Sequence, residues 1–378
     1  MNIAFYAPLK PPDHPNPSGD RRMARLLMDA MERAGHTVEQ ASGLRSYDRE
    51  GDAVRQRRMR DLGGRMAKRL IRRYQKRPAR SRPQVWFTYH LYHKAPDWLG
   101  PAVSAALGIP YVIAEASFAP KQENGPWAEG HDAALRAIAL ADLVFCLNSN
   151  DRSCVQPMLK DPSRLIALAP FIDTEHFAYV DGADCRRRIS EVHGIEPNVP
   201  WLLTVAMMRP GAKSASYSIL GEALAKLMER PWRLLACGYG TASKEVAAAL
   251  APLGDRVTWF KELTMEELAR LYAASDIYAW PAVDEAYGMA FLEAQAAGLP
   301  VVAGRAGGVP DIVSDGLSGI LVPVNDAALF AAAVDELIGD AAKRRAMGKA
   351  ARRLAFDKHD IKTAVRVLND ALCRLTAS

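Results

Sequence analysis

The stretch "IYAWPAVDEAYGMAFLEAQAAGLPVVAG", residues 277–304, predicts a strand, a helix and a second strand in close succession. The apolar runs at its two ends are short and bounded by Pro or Gly, which is typical of buried strands. Between them, "AYGMAFLEAQAAG" is rich in residues that favour a helix and ends at Gly298, a common helix stop. Strand, helix and strand in this order form the unit from which parallel sheets are built.

The same alternation continues along the chain of 378 residues. Helices are predicted over segments such as 19–34, 216–229 and 264–274. The predicted strands are "NIAFYA", "TVEQAS", "VWFTYH", "YVIAEA", "LVFCLN" and "LIALAP" in the first half, and "WLLTVAM", "WRLLACG", "VTWF", "IYAWP", "PVVAG" and "GILVP" in the second. Two such series predict an α/β fold with two doubly wound, Rossmann-like domains. We expect them to face each other across a cleft that holds the site.

The boundary between the domains is predicted near residues 170–185, "PFIDTEHFAYVDGADC", which are polar and rich in turn formers. We therefore assign 1–175 to the first domain and 176–359 to the second. The last segment, 360–378, has a helical pattern and no strand after it. We expect this segment to pack back on the first domain.

The composition, 49% hydrophobic and 24% charged, is that of a soluble globular protein. The start, "MNIAFYAPLK", is interpreted as a first strand and not as a signal peptide. No apolar run approaches the length of a membrane span. The cysteines are scattered without a CxxC pair, which predicts buried free thiols in a reducing cytoplasm. They are Cys146, Cys154, Cys185, Cys237 and Cys373.

The excess of basic residues is confined to one segment of the chain. Residues 55–82 contain 13 Lys or Arg and one acid, whereas the rest of the chain has 36 basic and 42 acidic residues. Apolar residues at 59, 62, 66, 70 and 74 follow helical spacing. This basic amphipathic helix would suit an anionic membrane surface, or it would dock on the first domain with solvated cations. Nucleic-acid binding is disfavoured, because no stacking aromatic residues are interleaved.

The loop and helix of the opening stretch carry groups suited to a sugar nucleotide. Glu285 lies in the loop, and Gly288 would let a ligand approach the backbone closely. The N–H groups around Tyr287 and Met289, with the helix dipole, would favour a phosphate. Glu293, further into the helix, would accept hydrogen bonds from a vicinal diol such as a ribose. The alternative is an acidic first turn followed by a solvent-facing glutamate.

Two further loops follow predicted strands. In "LLTVAMMRPGAKSAS", residues 202–216, Arg209 and Lys213 would suit a diphosphate, or they are solvated loop cations. In "PPDHPNPSGDRRMARLL", Gly19 follows Ser18 at a helix start and would admit a ligand, or it forms a structural turn. This stretch is not GxGxxG, so a dinucleotide site is poorly supported.

Several catalytic signatures are missing from the sequence: HExxH, GxxxxGK[ST] and GxSxG. No DxD occurs either, which argues against a divalent metal held by carboxylates. His90 and His93 are too few for a metal site. We therefore expect no cofactor and no metal.

The run "SDIYAWPAVDEAYGMAFLEAQAAGLPVVAGRAGGVPDIVSDGLSGILVPVND", with its pair Glu285 and Glu293, resembles the retaining glycosyltransferases of family 4, which have the GT-B fold. The resemblance is strong over roughly 255–325, moderate over 195–250 and weak in the first half of the chain. It implies an acceptor-side first domain and a second domain that binds a nucleotide sugar. The implied reaction moves a hexose-type sugar from a UDP- or GDP-sugar to a hydroxyl acceptor with retention, in bacterial polysaccharide or glycolipid synthesis.

The resemblance also implies roles for individual residues. The catalytic residues would be Arg209, Lys213 and Glu285. The donor would be bound by Gly19, Tyr287, Gly288, Met289, Glu293, Lys261 and Leu263. His90 and Glu115 would lie on the acceptor or donor-sugar side. Glu115 departs from the pattern, because the family often has a histidine at this place.

Two other readings stay open. One is a GT-B sugar-nucleotide 2-epimerase, which would act on the donor alone. The other is a non-catalytic protein that binds sugar nucleotides. For the transferase, the expected partners are the nucleotide sugar and a sugar or lipid-linked acceptor, and nucleic acid is not expected. The location would be cytoplasmic, with residues 55–82 available for the inner face of the membrane.

Overall fold

The computed structural model describes residues 1–377. The chain divides into two compact units: unit 1 is Met1–Ala169 together with the last helix, and unit 2 is Pro170–Asp360. The division falls at the start of the polar stretch 170–185, a few residues before the boundary expected from the sequence. Each unit contains one six-stranded sheet in which neighbouring strands pair in parallel.

The sheet of unit 1 has the order β2-β1-β3-β4-β5-β6. The order reverses between β1 and β3, and ligand crevices of doubly wound sheets lie at such points. Its strands are β1 (Asn2–Tyr6), β2 (Thr37–Ser42), β3 (Val85–Leu91), β4 (Tyr111–Ala116), β5 (Leu143–Cys146) and β6 (Leu165–Ala167).

The sheet of unit 2 has the order β12-β11-β10-β7-β8-β9. Here the order reverses between β7 and β10. The strands are β7 (Trp201–Val205), β8 (Arg233–Cys237), β9 (Val257–Phe260), β10 (Ile277–Trp280), β11 (Val301–Gly304) and β12 (Gly319–Val322). All twelve strands predicted from the sequence are therefore present.

Helices separate most of the strands along the chain, and the last helix, α15, packs against α1 in unit 1. The helices are α1 (Gly19–Arg33), α2 (Ala53–Gln75), α3 (Gly100–Leu107), α4 (Ala128–Leu140), α5 (Ser149–Val155), α6 (Glu175–Ala178), α7 (Gly182–His193), α8 (Ala212–Ala225), α9 (Ser243–Leu250), α10 (Met265–Ala274), α11 (Met289–Ala296), α12 (Val309–Ile312), α13 (Ala327–Gly339), α14 (Ala341–Lys358) and α15 (Ile361–Ala377).

The strands form because their side chains are apolar on both faces, as parallel strands under helices require. β7, "WLLTV", is buried over its first four residues, and Trp201 is completely inaccessible. Trp86 in β3 and Trp280 at the end of β10 are buried in the same way. The largest side chains thus fix each sheet beneath its helices.

The basic segment forms one continuous helix, α2, which Gly63 and Gly64 do not interrupt. Gly63 is required for packing, because a Cβ there would lie 2.4 Å from the Cβ of Trp98. Ala67, Leu70 and Tyr74 are buried in the core of unit 1. The apolar stripe of α2 therefore docks on its own unit, and only the charged face remains for a membrane surface.

All five cysteines are free thiols. The expectation that they are buried is wrong for Cys373, which is exposed, and only partly right for Cys146 and Cys154, which are half-buried. Within residues 1–377, no helix combines the length and apolar character that a membrane span needs.

Candidate functional site

The reversal of strand order in unit 2 decides where its polar groups meet. β7 and β10 are neighbours, with Leu202 opposite Ile277. From β7 the chain continues towards β8 on one side, and from β10 towards β11 on the other. The loops that leave β7 and β10 consequently diverge and leave a crevice at the carboxyl edge of the sheet. Arg209 and Glu285 lie on these loops, and Lys213 lies in the first turn of α8.

Lys213 and Glu285 form an ion pair between Nζ and Oε2. Trp280 donates its indole N–H to the same oxygen at 3.3 Å. Lys213 Nζ also lies 5.4 Å from the centre of the Trp280 ring, where the face of the ring attracts a cation. The side chains of Lys213 and Glu285 are 31% and 14% exposed, so both remain open to solvent.

The loop that carries Glu285 is fastened to α8. Ser216 Oγ accepts a hydrogen bond from Val283 N at 3.0 Å and donates to the carbonyl of Ala212 at 2.9 Å. Ala282 and Asp284 have φ of 58° and 49°, a left-handed conformation that is strained for side chains other than glycine. Residues other than glycine adopt this conformation mainly at functional sites. Here the two residues direct the loop so that Glu285 contacts Lys213.

Gly288 ends this loop and begins α11. Its φ of 73° is left-handed, and a Cβ there would lie 2.6 Å from the Phe291 ring and 3.2 Å from Glu285 Cγ. The helix predicted over 286–298 therefore begins later, at Met289, because Gly288 cannot take a helical conformation in this turn. Tyr287 is buried, whereas Met289 is half-buried at the helix start. The first N–H groups of α11 lack partners within the helix and carry its positive dipole end.

Gly307 and Gly308, which were not identified from the sequence, pack closely against the backbone of this turn. A Cβ at Gly307 would lie 2.2 Å from the carbonyl oxygen of Glu285. Gly308 N donates to the carbonyl of Ala286 at 2.5 Å. The adjacent glycines in "RAGGVP" were a signal for such a close backbone approach.

Glu293 is 2% exposed, and its Oε2 accepts a hydrogen bond from the Tyr272 hydroxyl at 2.7 Å. The alternative of a solvent-facing glutamate is wrong. Tyr272 comes from α10, so the carboxylate is fixed by a neighbouring helix. The assigned ribose contact stays a prediction.

Arg209 lies on the loop between β7 and α8, with its guanidinium 2.9 Å from Met207 Sδ. The loop after β8 supports this one closely. A Cβ at Gly238 would lie 2.0 Å from the carbonyl oxygen of Ala206, and one at Gly240 would lie 2.1 Å from that of Met208. Neither glycine was identified as a site residue from the sequence, although "CGYG" directly follows a predicted strand.

Lys261 and Leu263 follow β9, which is two strands away from β7. Lys261 is exposed and Leu263 is half-buried. Strand spacing puts them roughly 10 Å from the loop after β7. They belong to the same edge of the sheet but do not adjoin the Lys213–Glu285 pair.

In unit 1, Gly19 is the first residue of α1, and Ser18 caps the helix by accepting from Arg21 N at 3.2 Å. A Cβ at Gly19 would meet nothing within 4 Å, so close packing does not require a glycine at this position. His90 and Glu115 end the neighbouring strands β3 and β4. His90 Nδ1 lies 3.1 Å from Asp20 Oδ1 and 3.7 Å from Glu115 Oε1.

The pKa values of His90 and Glu115 are both raised by their surroundings. Burial works against a charge on His90, but Glu115 and Asp20 outweigh it and raise the pKa of His90 to about 9. Burial raises the pKa of Glu115 to about 7, although the nearby His90 works in the other direction. Near neutral pH, His90 is therefore charged, and Glu115 is partly protonated.

Among residues 1–377, no group of His, Cys, Asp and Glu side chains is arranged to hold a metal ion. In unit 2 the chain's own cations face the crevice instead. The arrangement brings together Lys213, Glu285 and the start of α11, with Arg209 on the adjoining loop. Such a set of cations and N–H donors is suited to a diphosphate.

Comparison with known proteins agrees with that chemistry. Residues 186–354 match the model of the family Glycosyl transferases group 1. The match lies within unit 2 and contains Arg209, Lys213, Glu285 and Glu293. The family resemblance seen in the sequence is therefore supported at this broader level.

Curated relatives of the chain are also named as sugar transferases. The chain is 35% identical over 195 residues to a D-inositol 3-phosphate glycosyltransferase of Mycobacterium sp. (strain KMS), which covers 49% of this chain and 42% of the relative. It is 32% identical over 234 residues to a GDP-mannose-dependent alpha-(1-6)-phosphatidylinositol monomannoside mannosyltransferase of Mycolicibacterium smegmatis, covering 59% and 60%. The chain spans about half the length of the curated relatives it matches.

Solved structures resemble the chain over its whole length. HepE of Anabaena, solved with UDP, has a TM-score of 0.75 at 15% identity and covers 99% of this chain and 100% of its own. The sucrose-phosphate synthase of Thermosynechococcus elongatus has a TM-score of 0.76 at 19% identity, covering 100% and 99%. The chain has the GT-B fold, as the sequence predicted.

Proposed function

We propose that the chain is a retaining glycosyltransferase of family 4, which moves a hexose-type sugar from a nucleoside diphosphate sugar to a hydroxyl acceptor. The observation that carries the proposal is the Lys213–Glu285 pair at the reversal of strand order in unit 2. It stands beside the start of α11, inside the segment that matches the family model.

The leaving group in this reaction is a nucleoside diphosphate, which gains negative charge as the bond to the sugar breaks. Lys213, Arg209 and the N–H groups at the start of α11 would stabilise that charge. Because these groups belong to the chain, the proposed reaction needs no metal ion and no other cofactor.

Glu285 is proposed as the group that holds the donor sugar. Its Oε2 is occupied by Lys213 and Trp280, which fixes the carboxylate as an acceptor for sugar hydroxyls. We assign it no nucleophilic role. Retention would follow from attack of the acceptor hydroxyl on the face that the diphosphate leaves, with the departing phosphate taking the proton.

The rest of the donor would lie along the same edge of the unit 2 sheet. Glu293 would bind the ribose, and the backbone of Tyr287, Gly288 and Met289 would bind the diphosphate. The separation of roughly 10 Å between the loops after β7 and β9 suits a nucleoside whose base reaches Lys261 and Leu263. We also propose Gly19, at the start of α1, as a contact for the donor phosphate, since a Cβ there would meet nothing within 4 Å.

Two donor bases are supported by the comparisons. One relative is named as GDP-mannose-dependent, and structural neighbours were solved with UDP and with UDP-glucose. The relatives' names also mention an inositol phosphate and a phosphatidylinositol mannoside. We propose a UDP- or GDP-hexose as donor, and a sugar or lipid-linked acceptor in bacterial polysaccharide or glycolipid synthesis.

The proposed location is cytoplasmic, with peripheral contact to the inner face of the membrane. The contact would be made by the charged face of α2, because its apolar stripe packs on unit 1. Nucleic acid is not proposed as a partner.

Binding of nucleoside diphosphates tests the proposal first. The thermal unfolding of the protein should shift upwards with UDP or GDP, because a ligand at 100 times its Kd adds about 2.7 kcal/mol to the stability of the folded state. Glu293→Gln should reduce the shift, and Glu229→Gln, on an exposed residue beyond the end of α8, should not. The absence of a shift with UDP, GDP and their sugars would contradict the proposal.

Incubation of the protein with UDP- and GDP-sugars in the absence of acceptor separates the other readings. A 2-epimerase would convert the donor into its epimer under these conditions, and the proposed transferase would leave its configuration at C2 unchanged. A non-catalytic binding protein would bind the donor but would transfer nothing when acceptors are added.

A further inference from the structure

The reversal of strand order in unit 1 gathers a second set of charged groups, the β3–β4 cluster, which consists of Asp20, His90, Glu115 and Asp151. Asp20 lies at the start of α1, His90 and Glu115 end β3 and β4, and Asp151 lies in α5. His90 Nδ1 is 3.1 Å from Asp20 and 3.7 Å from Glu115. Asp151 is close enough to affect both His90 and Glu115 electrostatically.

The backbone at two of these residues is strained. His90 has φ of 59° and Glu115 has φ of 61°, both in the left-handed region. A residue with a side chain loses about 1 kcal/mol or more in that conformation. Strained backbone of this kind is found mainly at functional sites, where it orients side chains. Here it brings the side chains of His90 and Glu115 together at the ends of two adjacent strands.

Glu115 has an acceptor that the chain does not use. Its side chain is only 7% exposed, and Oε2 is buried without a hydrogen bond of normal geometry among residues 1–377. The Tyr89 side chain is near enough to lower the pKa of Glu115 but does not supply such a bond. A buried carboxylate oxygen without a donor is unfavourable. A ligand that donates a hydrogen bond to Oε2 would remove this penalty.

The charge of the cluster indicates what kind of donor would fit best. Asp20 and Glu115 lie within 4 Å of one imidazole, and the hydrogen bond from His90 Nδ1 goes to Asp20, which is nearer. Asp151 is a third carboxyl group whose charge acts on the same site. The rings of Tyr89 and Tyr92 lie 5.9 and 5.2 Å from the His90 ring. Carboxylates together with aromatic rings are the surroundings that attract an ammonium group.

We propose that the β3–β4 cluster binds a primary ammonium group of a substrate, so that the acceptor or the donor sugar is an amino sugar or an aminocyclitol. A neutral hydroxyl would satisfy Glu115 Oε2 but would leave the negative charge unbalanced. The inference rests on the proposed function, and it names the class of substrate that unit 1 selects.

Binding of matched amine and hydroxyl sugars tests this inference. The 2-amino, 3-amino and 6-amino forms of deoxyglucose are compared with glucose as acceptor analogues, and UDP-glucosamine with UDP-glucose as donors. Affinities are measured by calorimetry or by saturation-transfer NMR at pH 7.5. At least one amine should bind about 10-fold or more tightly than its hydroxyl counterpart, because a charged hydrogen bond replaces a neutral one. The arm that shows the preference identifies the donor or the acceptor.

Glu115→Gln keeps the shape of the side chain and removes its charge, so it should abolish the preference for the amine. Asp20→Asn provides a second test should Glu115→Gln fail to fold, and Glu123→Gln, on an exposed residue, is the matched control. Equal binding of amine and hydroxyl sugars, a preference that survives Glu115→Gln and Asp20→Asn, or binding of none of these compounds would overturn the inference. Transfer of a neutral sugar to a neutral acceptor without any preference for amines would overturn the inference while upholding the proposed function.

Discussion

At the scale of the residue, the proposed chemistry depends on one ammonium group. Lys213 Nζ is held between Glu285 and the face of Trp280, so its position is fixed before any substrate arrives. A cation that is already positioned stabilises developing charge without reorganisation. Lys213 is therefore the residue whose loss should affect transfer more than it affects stability.

Lys213→Met should lower the rate of sugar transfer by about 10²-fold or more, as the loss of a positioned charge in an oxyanion site does. The measurement is release of nucleoside diphosphate at saturating donor. Lys226→Met, at the other end of α8 where Lys226 caps the helix, is the matched control and should retain the wild-type rate. A Lys213→Met rate close to wild type would remove Lys213 from the mechanism.

The β3–β4 cluster predicts how stability depends on pH. The pKa of His90 is raised from 6.5 to about 9, and that of Glu115 from 4.5 to about 7. Each group binds its proton more tightly in the folded state, so its contribution is complete below the unfolded pKa and is lost as pH rises through the folded one. The free energy of unfolding should consequently fall between about pH 4.5 and 7 through Glu115, and between about pH 6.5 and 9 through His90.

Urea unfolding at intervals of pH measures this slope. His90→Asn removes the titrating ring, and asparagine tolerates the left-handed backbone at this position. The variant should show a flatter profile above pH 6.5 than wild type. An identical slope in both proteins would mean that His90 does not titrate as described.

At the scale of the element, the turn into α11 is built by glycine. Gly288→Ala places a Cβ against Phe291 and Glu285 and forces a left-handed alanine. It should destabilise the protein by about 1–2 kcal/mol and weaken binding of the nucleotide. Gly339→Ala, at the end of α13 where a Cβ meets nothing within 4 Å, is the control. Equal stability and equal nucleotide binding in both variants would contradict the role given to this turn.

The elements themselves were largely predictable. Apolar runs bounded by Pro or Gly indicate the strands, because a strand that is buried on both faces is apolar along its whole length. Helix starts were less predictable. α11 begins at Met289 and not at 286, because Gly288 has a left-handed φ of 73°. A periodic pattern of apolar residues does not encode the backbone angle of a single residue.

The individual residues of the site were predictable from the sequence, but their arrangement in space was not. The sequence places Lys213 and Glu285 after two different strands. Their ion pair depends on β7 and β10 being neighbours, which is a long-range feature of the sheet. The supports from Gly307 and Tyr272 were missed for the same reason, since each contacts a site residue from an element that is distant in sequence. Trp280 is near Glu285 in the sequence, but its hydrogen bond to the carboxylate depends on the path of the loop between them.

At the scale of the whole molecule, charge is concentrated on one helix. Arg58, Arg65, Arg69 and Arg72 are exposed, and their spacing puts them on one face of α2, away from its buried stripe. Each cation near an anionic bilayer contributes about 1 kcal/mol. This face accounts for most of the membrane affinity that we propose.

Replacing these four arginines by Gln should lower co-sedimentation with anionic vesicles by at least about 10-fold, because the attraction is electrostatic. Binding to neutral vesicles should be weak in all proteins. The matched control replaces exposed cations elsewhere: Lys160, Lys244, Arg345 and Lys349. Equal loss in both variants would assign the effect to net charge and not to α2.

The configuration of the transferred sugar shows whether the protein is a retaining glycosyltransferase, as we propose. The protein is incubated with an α-linked UDP- or GDP-hexose and an acceptor, and the anomeric signals of the product are read by proton NMR while nucleoside diphosphate is quantified. The account predicts an α-linked product formed in step with the released nucleoside diphosphate, and loss of both in Lys213→Met. A β-linked product, or no transfer from any UDP- or GDP-hexose, would contradict it.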